Sequence, residues 1–204
     1  VQANTKAGFS IVEWTGDGNT ATIGHGLNAA PELILVKTRT DVSDWPVYSS
    51  GLTSSAYRLV LNSDAGQSTT NDEWNSTSPT STVFSVGNGG NVSGSGRDFV
   101  GYCFHSVAGF SKISTYTGNG STNGPIVNTG FEPAFVMIKR LDAIDDWIVV
   151  DNKRNTTNSR YNYLMPNSNN AENGSASGTI NPLVDFLTNG FQIAATWGAV
   201  NNNG

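Results

Sequence analysis

Cysteine is nearly absent from this chain, which has one cysteine, Cys103, among 204 residues. No disulfide can form within a single chain, so stability must come from packing and hydrogen bonds. Cys103 lies in the apolar run Phe99–Phe104, where no Lys or Arg is present to favour a thiolate. We therefore expect a buried, unreactive thiol that packs as a small apolar side chain.

Charged residues are also scarce: they make up only 13% of the chain, and the formal net charge is −5. The basic residues are scattered, which excludes the concentrated basic surface that nucleic-acid binding requires. Long apolar runs are missing as well, since no stretch approaches the roughly 18 residues of a membrane-spanning helix. We expect neither a nucleic-acid partner nor a membrane span.

The residue groups that carry catalysis are missing too. His25 and His105 are the only histidines, and no zinc-ligand cluster, phosphate loop or nucleophile elbow is present. Glycan hydrolysis needs two carboxylates at a defined separation. Glu13, Asp72 and Glu73 are available in the first half of the chain, but the second half offers no corresponding set. The sequence predicts no catalytic residue, no metal site and no cofactor, and so a protein that is not an enzyme.

Glycine, asparagine, serine and threonine, by contrast, fill much of the chain. Gly and Asn tolerate positive φ, and Ser and Thr hydrogen-bond to the backbone of turns. This composition is typical of short strands joined by many turns. We predict an all-β fold in which helix is confined to one short piece near Pro182–Leu187.

The first half of the chain recurs in the second half in the same order. The recurring pairs are Ala7–Ser10 with Ala108–Ser111, Trp14–Thr20 with Tyr116–Thr122, Leu33–Lys37 with Phe135–Lys139, and Asp44-Trp45 with Asp146-Trp147. So many ordered matches indicate an internal duplication. We predict two tandem antiparallel β-sandwich repeats of jelly-roll or lectin-like type, at residues 1–107 and 108–204.

Runs of β-branched and aromatic residues, bounded by Gly, Asn and Pro, place the strands. The predicted strands lie near 8–14, 21–25, 33–39, 45–48, 57–61, 82–86 and 98–105 in the first repeat, and near 109–116, 125–128, 134–140, 147–151, 161–165 and 190–196 in the second. The second repeat has no counterpart of the last strand of the first. We expect either that the chain is an excerpt of a longer repetitive protein or that another chain supplies this strand.

The pattern Gly-Phe-Ser, aromatic-Thr-Gly-(Asp/Asn)-Gly-(Asn/Ser)-Thr, an apolar strand ending in Lys, and Asp-Trp resembles a domain family of unknown function in phage virion proteins. The resemblance covers essentially the whole chain, as two tandem copies. It implies a lectin-like β-sandwich in a tail fibre or tail-tip protein, located on the virion surface or otherwise extracellular. It also implies a homo-oligomer, commonly a trimer, because virion fibres often assemble in that way.

Long polar loops at 62–81, 152–160 and 166–181 are the expected carriers of binding function on a rigid sheet scaffold. Trp74 follows Asp72 and Glu73 in the first of these loops without an apolar neighbour. We predict that these three residues bind a ligand, or alternatively that the indole caps the sandwich edge. Tyr161 is the corresponding candidate in the second repeat.

Two recurring motifs have both a binding and a structural interpretation. The Asp-Trp pairs, Asp44-Trp45 and Asp146-Trp147, suit a sugar platform, but their position between a loop and an apolar strand favours structural anchors. The turns Gly16–Asn19 and Gly118–Ser121 resemble a calcium loop. The second turn has no carboxylate, so a hairpin turn with positive φ explains both better.

These features lead to three functional hypotheses. The first is a phage virion surface protein, a tail fibre or appendage segment, whose loops bind a host cell-surface glycan or protein. The second is a purely architectural spacer or a capsid decoration (cement) protein. The third is a cellular adhesin.

Overall fold

The computed structural model describes residues 1–70, 72–172 and 182–203. These residues form antiparallel sheets and two helices of a single turn each, which confirms the all-β prediction. The strands are β1 (Gln2–Asn4), β2 (Phe9–Thr15), β3 (Ala21–Gly24), β4 (Leu33–Thr38), β5 (Pro46–Ser49), β6 (Tyr57–Val60), β7 (Ser68–Thr69), β8 (Val83–Val86), β9 (Asp98–Phe104), β10 (Ile126–Asn128), β11 (Phe135–Ile138), β12 (Ile148–Asp151), β13 (Val184–Leu187) and β14 (Gly190–Ile193). The helices are α1 (Gly90–Ser93) and α2 (Gly198–Asn201).

The chain divides into two compact units. Unit 1 contains Val1–Leu61 and Gln67–Ser114, and unit 2 contains Asn62–Gly66 and Thr115–Gly204. The predicted boundary between the two sequence repeats, at residues 107 and 108, is defined by the periodicity of the sequence and stays a prediction.

Unit 1 is built on a sheet of seven strands in the order β1-β2-β9-β4-β5-β6-β7. The last long strand in sequence, β9, lies between β2 and β4 and pairs antiparallel with both. Cys103 on this strand is buried, as expected. Burial raises the pKa of its thiol to about 12, so the thiol stays protonated.

A second sheet of two strands, β3 and β8, provides the other layer of unit 1. Phe84 of β8 meets the edge of the Trp14 indole at a centroid separation of 5.8 Å, and Trp14 stacks on Phe99 at 5.5 Å. Gly101 lies beneath this indole, because a Cβ there would stand 3.1 Å from Trp14 Cζ3 and 3.0 Å from Val12 Cγ2. The absence of a side chain at Gly101 therefore gives the indole its place in the core.

Unit 2 contains a sheet of three strands in the order β10-β14-β13 and a sheet of two strands, β11-β12. Alternating side chains of these strands form one apolar core. Its fully buried members include Ile148, Val150, Val184 and Ile193. Tyr163 and Trp197 pack against this core and against each other, with ring centroids 5.3 Å apart.

Three predicted elements differ from the structure. The short helix predicted near Pro182–Leu187 is wrong: Val184–Leu187 is strand β13, which pairs with β14 across a tight turn. The loop of this turn is Thr188-Asn189, because Leu187 pairs with Gly190, and a loop of two residues is the commonest connection of a β-hairpin. The strand predictions at 109–116 and 161–165 are also wrong, because those segments make only isolated bridges, at Ser111 and at Leu164.

The two units use the same contact between an aromatic side chain and a helix of one turn. Trp14 Nε1 donates to the carbonyl of Val92 in α1 at 2.8 Å, and Tyr116 Oη donates to the carbonyl of Val200 in α2 at 2.6 Å. Both hydrogen bonds are partly buried and satisfy the polar atom of the aromatic side chain. The aromatic residue therefore fixes the helix to the core in each unit.

Glycine at position 101 should be required for stability. We expect Gly101→Ala to lower the free energy of unfolding by about 1–3 kcal/mol, because the added methyl group displaces Val12 and the Trp14 ring. Urea unfolding monitored by tryptophan fluorescence measures the change. Gly24→Ala is the matched control in a strand: nothing lies within 4 Å of a Cβ there, so an equal loss in both variants would contradict the packing argument.

Candidate functional site

Trp74, the predicted ligand-binding aromatic, is a core residue. Its side chain is only 1% exposed, and its ring meets Tyr48 of β5 edge to face at a centroid separation of 5.9 Å. The backbone before Trp74 is fixed, since the carbonyls of Asp72 and Glu73 accept from Gly89 N and Gly87 N at 2.8 Å. The prediction of a solvent-facing indole is therefore wrong.

Glu73, the second predicted ligand residue, is also buried, and it has internal partners. Its carboxylate forms an ion pair with Arg58 of β6 and accepts a hydrogen bond from Thr70 Oγ1 at 2.5 Å. A buried carboxylate with a cation and a hydroxyl already bonded to it is not available to a ligand. Of the three predicted residues in this loop, only Asp72 is exposed, so the structure does not bring them together as a surface site.

Replacement of Trp74 should therefore act on stability. We expect Trp74→Ala to cost about 3–5 kcal/mol of unfolding free energy, the usual range for removal of a buried aromatic side chain. Chemical denaturation followed by circular dichroism measures it. Asp72→Asn, at the exposed position in the same segment, should change stability by less than about 0.5 kcal/mol. A near-neutral Trp74→Ala would restore the surface interpretation.

His25 is a buried histidine that the sequence did not assign a role. Its Nδ1 accepts from the backbone N–H of Leu27 at 3.2 Å, so Nε2 carries the proton and donates to the carbonyl of Thr80 at 3.1 Å. Burial lowers the pKa of this imidazole below its usual value, and the carbonyl of Thr80 opposes that shift in part. The neutral ring ties β3 to the segment before β8 within unit 1.

Acid should weaken the fold through His25. In the unfolded state this imidazole has the ordinary histidine pKa of about 6.5, whereas the lowered pKa in the folded state delays protonation until a lower pH. The free energy of unfolding should therefore fall as the pH drops below about 6.5, with a slope of at most about 1.4 kcal/mol per pH unit. Urea titrations between pH 7 and pH 5 measure this slope.

The slope should flatten in His25→Gln and persist in His105→Gln, which removes the only other histidine. A slope that survives in the His25 variant would show that other groups cause the acid sensitivity.

Tyr161, the candidate in the second repeat, is half-buried and belongs to a bonded turn. Its backbone N–H and that of Asn162 donate to Asn155 Oδ1 at 3.0 and 2.7 Å. The adjacent Arg160 is buried, bonds to the carbonyl of Asn155, and lies 4.4 Å above the ring of Phe186. Tyr161 thus lies on a packed internal turn of unit 2, whereas the other predicted ligand residues belong to unit 1. Residues 173–181 of the predicted loop 166–181 lie outside the described residues.

The second Asp-Trp pair has the geometry expected of an internal anchor. Trp147 is buried, and its backbone N–H donates to Asn167 Oδ1 at 2.9 Å. The same amide donates through Nδ2 to Asp146 Oδ1 at 2.7 Å. Trp45 of the first pair is half-buried, and its carbonyl accepts from Leu61 N at 2.9 Å, while the carbonyl of Asp44 accepts from Ser43 Oγ.

In the Gly-Asp-Gly-Asn turn, the Asp17 carboxylate hydrogen-bonds to the backbone of the turn itself. Asp17 Oδ1 accepts from Asn19 N at 2.9 Å, and Gly18 and Gly120 have positive φ in the two related turns. The turn is not a hairpin, since β2 and β3 belong to different sheets. Within the described residues, no group of three or more His, Cys, Asp or Glu side chains could hold a metal ion.

Two exposed aliphatic side chains, Val42 and Ile144, stand at corresponding loop positions, and we call them the aliphatic tips. Each precedes an Asp-Trp pair by two positions, between β4 and β5 in unit 1 and between β11 and β12 in unit 2. Val42 is 99% exposed and Ile144 is 73% exposed. Single exposed aliphatic side chains are common on protein surfaces, and it is the recurrence of this pair at matched loop positions that makes the two residues candidates for contact with another molecule.

A lysine side chain fixes each of these loops from within. In unit 1, Lys37 Nζ donates to the carbonyl of Asp41 at 3.2 Å and to Ser43 Oγ at 3.3 Å. In unit 2, Lys139 Nζ donates to the carbonyls of Asp64, Arg140 and Asp145 at 2.9–3.1 Å. Burial lowers the pKa of Lys139, and nearby carboxylates oppose this. The aliphatic tips are therefore held on restrained loops.

Sequence reasoning missed the aliphatic tips because single apolar residues in polar loops are common. Their signal was the recurrence itself: a β-branched residue two positions before Asp-Trp in both halves of the chain. Among the residues that the structure describes, no helix is long and apolar enough to cross a bilayer.

Comparison with known proteins gives one family. No curated protein and no solved structure matched the chain significantly. One family model, DUF7483, described as a domain of unknown function, matches residues 1–204. The match extends over both compact units, so the protein belongs to the DUF7483 family.

Proposed function

We propose that the protein is a non-catalytic surface protein of a phage virion, a segment of a tail fibre or appendage, that attaches to a host-surface protein through the aliphatic tips. The observation that carries this proposal is the pair of exposed side chains, Val42 and Ile144, on two restrained loops. Burial of such a side chain in an apolar pocket of a partner contributes about 1.5–3 kcal/mol.

The chemistry of the tips favours a protein over a glycan as the partner. A pyranose ring stacks on an aromatic face, and branched aliphatic side chains offer no such face. Trp74, the predicted ligand-binding aromatic, is buried. The acidic side chains beside the tips are engaged with arginines: Asp41 with Arg97, and Asp142 with Arg140. These ion pairs leave the aliphatic side chain as the prominent feature of each loop.

We also infer that the two units descend from one duplicated repeat. The aromatic contact to α1 in unit 1 has its match at α2 in unit 2. In each unit a turn glycine also donates to the last residue of that unit's helix: Gly18 N to Ser93 O at 2.6 Å, and Gly120 N to Asn201 O at 3.0 Å. The matched lysines and aliphatic tips support the same inference. The virion location and a homo-oligomeric, possibly trimeric, assembly rest on the family resemblance.

The attachment proposal is tested with the double variant Val42→Ser and Ile144→Ser. Fluorescently labelled chain is incubated with a panel of bacterial cells and, in parallel, with arrays of bacterial surface polysaccharides. We expect binding to cells that carry a protein receptor, abolished by protease treatment of the cells. The double variant should bind at least about tenfold more weakly, because the lost apolar burial exceeds about 1.4 kcal/mol.

Ile126→Ser is the matched control, since Ile126 is 66% exposed on β10 and lies outside the tip loops. All variants should keep the unfolding free energy within about 0.5 kcal/mol. Binding to cells that the double variant retains would overturn the role of the tips. If the intact chain binds no cell and no polysaccharide, the architectural spacer or decoration protein is favoured. If the protein is found on bacterial cells and not on purified virions, the adhesin is favoured.

A further inference from the structure

Strand β11 has one bonded edge and one open edge in the part of the chain that the structure describes. It pairs antiparallel with β12, with Val136 opposite Val150 and Ile138 opposite Ile148. Asn152 N donates to the carbonyl of Ala134 at 3.0 Å, and hydrogen-bonded pairs alternate along an antiparallel ladder. The N–H and C=O groups of Phe135 and Met137 therefore point away from β12, toward the open edge.

The corresponding strand of the first repeat, β4, is bonded on both edges. It pairs with β5 on one side and over six residues with β9 on the other. Along β9, the aromatic residues Phe104 and Tyr102 stand opposite Leu33 and Leu35. Small residues, Cys103 and Gly101, stand opposite the buried Ile34 and Val36. In unit 1, therefore, β9 is an example of a strand whose sequence fits the edge of β4 that corresponds to the open edge of β11.

The core side chains of β11 are buried, but slightly less completely than those of β4. Ile34 and Val36 of β4 are 0% exposed, whereas Val136 and Ile138 at the matching positions of β11 are 8% and 7% exposed. The outward-facing Phe135 is 59% exposed. An added strand on the open edge would cover these side chains and supply partners for the backbone groups of Phe135 and Met137.

We propose that the open edge of β11 binds an extended peptide strand from a partner protein by β-augmentation. The peptide alternates aromatic and small apolar residues as β9 does: aromatic residues opposite Phe135 and Met137, and small residues opposite Val136 and Ile138. The backbone hydrogen bonds supply affinity, and the alternation sets the register, because a shift by one residue reverses every side chain. This interaction surface is distinct from the aliphatic tips.

The test uses the full chain, labelled with ¹⁵N, and a synthetic peptide with the sequence Arg97–His105 carrying Cys103→Ala. Amide hydrogen exchange is measured by NMR with and without the peptide. We expect the amides of Phe135 and Met137 to exchange at least about tenfold more slowly when the peptide is bound. The amides of Leu33 and Leu35 serve as internal controls, because β4 already has partners on both edges.

Two further reagents make the outcome specific. A peptide of the same composition with aromatic and small positions exchanged should not protect β11. Met137→Pro removes one outward N–H without touching the ladder to β12, and it should weaken peptide binding at least about fivefold while leaving cell binding through the aliphatic tips unchanged.

Absence of protection with the native-pattern peptide, in a folded chain, would overturn the proposal. Protection by both peptides equally would overturn the stated side-chain pattern. Self-association of the chain without peptide, lost in Met137→Pro, would identify a second copy as the occupant and overturn the assignment to a partner protein.

Discussion

The pairing of β9 with both β2 and β4 is the constraint on which unit 1 depends. This strand brings Asp98–Phe104 between two strands that precede it by most of the length of the unit, and it supplies partners to one edge of each. Gly101 and Phe99 on the same strand shape the space that the Trp14 indole fills. The indole then fixes α1 through Val92. The sheet, the core and the position of α1 in unit 1 therefore all depend on β9.

Sequence patterns predicted most strands of unit 1 because their signals are local. The apolar run at Leu33–Val36 and the alternation through Phe99–Phe104 mark strands whatever their neighbours are. The segment near residue 110 has the same local pattern as β2, yet it forms only an isolated bridge at Ser111. A strand needs a partner as well as a propensity, and partners are set by distant parts of the chain. The hairpin of β13 and β14 differs from the prediction for a local reason, since its strands have only four residues each and are joined by the two-residue turn Thr188-Asn189.

The candidate site shows the same limit more sharply. Two acids beside Trp74 suggested an exposed loop, but Arg58 neutralises Glu73 from a neighbouring strand, and Tyr48 covers the indole. Neither partner lies near Trp74 in sequence. The aliphatic tips were overlooked for the opposite reason: nothing in the local pattern marks them, and only their exposure, together with recurrence, distinguishes them. The burial of a side chain depends on the whole fold, so it cannot be predicted well from the residues next to it in sequence.

The late position of β9 in the chain has a consequence for biosynthesis. A ribosome releases β2 and β4 well before β9, so the nascent chain holds two strands that lack their common neighbour until residue 104 has emerged. Contacts of such long sequence separation form slowly, because loop closure must precede them. Exposed apolar strand edges during this interval are sites for premature association between nascent chains. Translation speed and chaperone access while the segment from β2 to β9 emerges should therefore affect the yield of folded unit 1.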